Sequence, residues 1–163
     1  MASAVSVVVE ERTSILHIAR TTTAALASQL IAQSLRMPEP YWATVTTIVV
    51  MQSSLGAAWK VSWKRFAGTV LGAVVGGFLA SYFGENLIAF AAAMVGTGLV
   101  CLGLRLDRTA YRFAGITLTI IMLVARTQTA WIIAAHRFVE VTLGIVVGLL
   151  LTAIWPEHRG SAV

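Results

Sequence analysis

"RFAGTVLGAVVGG", residues 65–77, returns as "RFVEVTLGIVVGL" at residues 137–149, 72 positions later. Arg65 falls on Arg137, Phe66 on Phe138, Leu71 on Leu143, Gly72 on Gly144 and Gly76 on Gly148. Shared arginine, aromatic and glycine positions exceed what two apolar runs would match by composition. Similarity at a fixed period marks a repeated structural unit. The same offset lays "TTIVVM" (46–51) on "LTIIML" (118–123) and the first apolar run on the fourth. The chain reads as one domain, residues 1–163, built from two tandem units of about 13–83 and 85–156.

Composition supplies the setting. Of 163 residues, 58% are hydrophobic and 12% charged, about half the charged share of a soluble domain. A bilayer-crossing helix needs about 20 mostly apolar residues. Six apolar runs are predicted: Ile15–Leu35, Tyr41–Trp59, Trp63–Tyr82, Leu87–Leu104, Ala110–Ala125 and Trp131–Trp155. The expected fold is an all-α membrane protein, six transmembrane helices arranged as two inverted three-helix repeats. An odd helix number per repeat turns the second half upside down, the pattern of many transporters. Tyr41, Trp42, Trp59, Trp63, Tyr82, Tyr111, Trp131 and Trp155 fall at the expected helix ends, where amphipathic rings prefer the headgroups.

Arg12, Lys60, Lys64, Arg65, Arg105, Arg108, Arg112 and Arg159 fall on the side of both termini, against Arg36 and Arg126 on the other. The positive-inside rule then places both termini in the cytoplasm of a bacterial inner membrane. It also accounts for the net charge of +5 without nucleic acid. The first charges are Glu10 and Glu11, unlike the basic start of a cleavable signal. The single cysteine, Cys101, excludes an intrachain disulfide.

Gly68, Gly72 and Gly76, and again Gly144 and Gly148, are spaced by four. They form a flat stripe for close helix packing, or a sliding seam. Arg20, Arg65 and Arg137 are candidates for a substrate path, because charge at membrane depth faces a wet cavity or a partner. Snorkelling to headgroups is the other reading. Arg65 is expected near the cytoplasmic end of its helix, and Arg65 and Arg137 towards opposite mouths of one path. Glu140 lies one turn from Arg137 and His136, as an ion-pair partner or a protonatable coupling group. His17, one turn before Arg20, and His136 are further coupling candidates. Thr47 and Gln52, with Trp42, are expected along the path, although hydroxyls here also serve helix packing. No phosphate loop, metal cluster or nucleophile–base pair can be assembled, so neither enzyme chemistry nor a cofactor is expected.

The segment 35–79 resembles the fusaric-acid-resistance, or aromatic acid exporter, family. The resemblance rests on "YWA" (41–43), "QSSLG" (52–56) and the arginine–glycine spacing from Arg65. "YRFAGITLTI" (111–120), the Arg137–Glu140 spacing and the closing Trp155–Pro156 extend it over nearly the whole chain. It implies efflux of aromatic or other organic acids, kinship with plant aluminium-activated malate channels, and pairing of six-helix units. Many members carry two such blocks and a large cytoplasmic domain; this chain has a single block. Ser53 stands where members often have Pro, which removes one reason to expect a broken second helix. The expected protein is an ion-gradient-driven organic-anion exporter working in the bilayer as a homodimer. A passive anion channel and a non-transporting scaffold are the alternatives.

Overall fold

The structure is a computed structural model and describes residues 15–124 and 128–155. The expected residues Arg12, Arg126, Pro156 and Arg159 lie outside it. The described residues form six α-helices and no strand: α1 (Ile15–Ser34), α2 (Tyr41–Val50), α3 (Leu55–Phe83), α4 (Leu87–Gly103), α5 (Arg108–Leu123) and α6 (Ala130–Ile154). Two of them, α3 and α6, are long and apolar enough to cross a bilayer by themselves. With 10 residues, α2 is about 15 Å long, half the hydrocarbon thickness.

The break between the second and third helices is not where charge had suggested. "WKVSWK" (59–64) contains neither Gly nor Pro and runs inside the continuous 29-residue α3. Trp59 and Trp63 therefore lie on the exposed side of one helix instead of marking two helix ends. The chain leaves the helix at Met51–Ser54 instead, without a proline. Met51 is extended and Ser54 caps α3, its hydroxyl accepting from the Ala57 N–H.

Helices α3 and α6 are antiparallel. The Phe66 and Phe138 rings meet with centroids 5.5 Å apart, and Gly77 faces the Trp131 ring further along. The shorter helices dock on them through the glycine stripe. A Cβ on Gly72 would strike the Ala114 carbonyl of α5 and approach the Thr117 Cβ to 2.9 Å. A Cβ on Gly144 would strike the Ala43 carbonyl of α2 and approach the Thr46 Cβ to 2.6 Å. Gly68 meets Ala110 and Phe113, and Gly148 meets Val50. Thus α5 lies parallel to α3, and α2 parallel to α6.

These contacts come in matched pairs, but not at one offset. Gly72/Ala114 and Gly144/Ala43 are related by 72 positions in the long helices and 71 in the short ones. Thr46 therefore matches Thr117, not Leu118, and six residues separate α5 from α6 against four between α2 and α3. Helices α1 and α4 end alike, on Leu35-Arg36 and Leu104-Arg105, 69 positions apart. Arg36 and Arg105 both sit at positive φ, 51° and 53°. After each, the next N–H bonds back five residues, Met37 to Ala32 and Leu106 to Cys101, the geometry of a helix C-terminal lock. Glycine usually occupies that position, because a side chain there costs about 1–2 kcal/mol.

The predicted consequence is graded sensitivity to added methyl groups. Gly144→Ala should lower stability in detergent by about 1–3 kcal/mol through overpacking. Gly96→Ala, where a Cβ meets nothing within 4 Å, should be neutral or slightly stabilising. Thermal unfolding of the two variants checks the contrast.

Candidate functional site

The parallel docking brings the beginnings of α2 and α5 towards the middle of the long helices. Glu39, just before α2, bonds through its backbone N–H to Glu140 Oε1 at 3.2 Å and through its carboxylate to Arg137. Asp107, at the start of α5, pairs with Lys64. Arg65 is the eleventh residue of 29 in α3, and Arg137 the eighth of 25 in α6. Each is the neighbour of a phenylalanine at the α3–α6 contact. The two arginines therefore flank one crossing point and do not stand at opposite mouths, and Arg65 is not near a helix end.

They are nearly equivalent. Arg137 stacks over the Trp42 ring at 4.6 Å, and Arg65 over the Phe113 ring at 4.8 Å. Trp42 and Phe113 are related by the same 71 positions as the helices that carry them. The Arg65 guanidinium donates to Thr46 Oγ1 through Nε at 3.2 Å and Nη2 at 3.0 Å. It thereby joins the second turns of α2 and α5, which approach it from opposite directions.

Their charge balance differs. Arg137 is 3% exposed and lies between two carboxylates, Glu39 and Glu140, the latter 3.4 Å away and itself 1% exposed. The Trp42 indole N–H donates to the same Glu39 at 3.1 Å. Arg65 is 4% exposed and forms no ion pair among the described residues. Desolvating an ion costs several kcal/mol in a real protein. A ring contact and a hydroxyl return about 2 and 1–3 kcal/mol respectively.

Arg20 belongs elsewhere. Fully buried on α1, it donates to the Trp155 carbonyl at 2.9 Å and to the Gln52 carbonyl. These carbonyls lie at the C-cap of α6 and two residues past the end of α2, near helix C-termini whose dipoles favour a cation. Gln52, expected inside the second helix, lies in the break after it, with its side-chain amide on the Val49 carbonyl at 3.3 Å. Thr47 is fully buried, its hydroxyl shared between the Ala43 and Gly144 carbonyls at 3.0 and 3.1 Å. Arg20 and Thr47 thus fasten helices together, and Gln52 supplies one of the carbonyls that Arg20 holds. His17 and His136 are half-buried, neither beside the Arg65 cluster by any hydrogen bond. The five stripe glycines all serve packing. Sequence reasoning missed Glu39, Thr46 and Phe113. The repeat at its corrected offset is the signal that finds Phe113, as the counterpart of Trp42.

Two described helices long and apolar enough to cross a bilayer, and many exposed large apolar side chains, fit a helical membrane protein. The chain belongs to the fusaric acid resistance protein-like family, whose model matches residues 24–151. It is 30% identical over 152 residues to the "Uncharacterized transporter YdhK" of Escherichia coli K12, covering 87% of this chain and 22% of that protein. It is 30% identical over 150 residues to the "Inner membrane protein YeeA" of the same organism, covering 88% and 42%. The chain thus spans about a fifth and about two fifths of the length of these relatives. No solved structure matches it.

Removing Arg137 should expose the value of its balance. Arg137→Met leaves two buried or half-buried carboxylates facing each other and should cost about 3–5 kcal/mol. The double variant Arg137→Met/Glu140→Leu should recover most of that loss. Denaturation midpoints of the single and double variants decide it.

Proposed function

We propose that this chain is a membrane transport unit that exports aromatic or other organic carboxylates, driven by an ion gradient. The observation that carries this reading is the convergence of the N-terminal ends of α2 and α5 on Arg65 and Arg137, about a third of the way along the two longest helices. Helix N-termini carry positive partial charge, and short helices ending beside a buried cation are how transporters hold anions at membrane depth. Membership of the fusaric-acid-resistance-like family, and a relative named as a transporter, support the same reading.

In this reading α3 and α6 cross the bilayer fully, in opposite directions, each heading one half of an inverted pair. The α1–α2 and α4–α5 hairpins carry their turns towards the depth of the arginines. The exposed Arg36, Arg105, Arg108 and Arg112 near those turns cannot face lipid at depth. A second copy of the chain, related by a two-fold axis, would enclose that charged face and make the wet path. Arg20 on Trp155 ties the first and last described segments to one end of the bundle, which this reading sets on the cytoplasmic side.

The test is flux. Purified protein in proteoliposomes should accumulate radiolabelled benzoate or a related aromatic acid when a pH gradient is imposed, and collapse of the gradient should abolish accumulation. Unitary currents in planar bilayers, without coupling, would instead make it a channel. No movement of any carboxylate would refute transport.

A further inference from the structure

The repeat puts Arg65 and Arg137 in equivalent places but gives only one of them a counter-ion. The difference is written in the motif: where the second unit has Glu140, 72 positions earlier the first has Gly68. That glycine is pressed against the Ala110 carbonyl and Phe113, and a carboxylate side chain has no room there. Arg65 lies in a buried place, with the Thr46 hydroxyl and the Phe113 ring as its partners among the described residues.

A second group beside it is also incomplete. Ser62 lies one turn earlier on the same face of α3. It is 3% exposed, and its hydroxyl oxygen has no hydrogen-bond partner among the described residues. Thr21, Ser28 and Thr97 also carry buried hydroxyls without a partner among the described residues; Ser62 is the one that lies a turn from Arg65. A buried cation and an unused donor, three residues apart, match what the two oxygens of one carboxylate accept.

We propose that Arg65 and Ser62 form the carboxylate seat of this chain, with Phe113 across the guanidinium, and that Arg137 is a structural replica already occupied by the protein's own Glu39 and Glu140. This deepens the transport reading and rests on it for the class of ligand. It separates the two arginines, which otherwise share one position in the repeat. The seat lies on the Ser62 side of Arg65, away from Gly68, whose surroundings are filled by Ala110 and Phe113. Arg65 thus binds the ligand, and Arg137 holds the scaffold.

The experiment uses the full chain in lipid nanodiscs, with sodium benzoate as probe and sodium chloride at equal ionic strength as control. Thermal unfolding is followed by tryptophan fluorescence. Benzoate should raise the wild-type midpoint by several degrees, because a ligand that binds the folded state alone stabilises it; chloride should not. Ser62→Ala should shift the benzoate midpoint concentration upward by about tenfold, the loss of one charge-assisted-site donor. Arg65→Met should lose the benzoate response and, without benzoate, unfold no earlier than wild type, since it removes an uncompensated buried charge. Arg137→Met, or Arg137→Lys if the former does not survive purification, should unfold earlier yet keep the benzoate response. The seat is refuted if wild type ignores benzoate, if chloride acts equally, or if Arg65→Met still responds. Earlier unfolding of Arg65→Met without benzoate would refute it too. Benzoate stabilisation without flux would sink transport and leave the seat; flux surviving Arg65→Met would sink the seat and leave transport.

Discussion

The close approach of Gly72 to the Ala114 carbonyl, and of Gly144 to the Ala43 carbonyl, sets the rest of the architecture. Backbone meets backbone because a Cβ at either position has no space. That contact holds each short helix parallel to a long one and fixes its register. Register in turn decides depth: α2 and α5 begin beside the interior of α6 and α3, and their first two turns arrive at the two arginines. With larger residues at these two positions, α2 and α5 would stand off, and Thr46, Trp42 and Phe113 would lose the guanidinium groups they meet. The stripe that looked like generic helix packing is therefore what builds the site.

On that frame the two halves diverge in charge while agreeing in shape. Aromatic ring, arginine and parallel helix pair recur, yet Glu140 neutralises one arginine and Gly68 leaves the other open. Arg20 has a third use, holding the carbonyl ends of α2 and α6. Three arginines of similar burial thus serve as clamp, internal ion pair and unmatched charge. Burial alone does not separate these roles; the partners do.

Much of this was legible in the residues. Helical class and the glycine stripe at the helix contacts follow from spacing and composition. Three things did not. The break at Met51–Ser54 has no Pro or Gly, whereas the paired lysines of "WKVSWK" imitate a loop although they sit on the exposed side of a helix. The three offsets of 69, 71 and 72 are hidden because a single offset still aligns one apolar residue with another. Arg20 bonds to main-chain carbonyls, which leave no mark in the sequence of Gln52 or Trp155.

The decisive measurement concerns the crossing of α3 and α6 at Phe66 and Phe138. In a Cys101→Ala background, paired cysteines at positions 66 and 138 should be joined within one chain by a short bis-maleimide. The equivalent pair at Leu71 and Leu143 lies five residues along each of two opposed helices, about 15 Å apart along the axis, and should not be joined. A cross-link between 71 and 143, or none between 66 and 138, would place the two arginines at different depths and contradict a single site at the crossing.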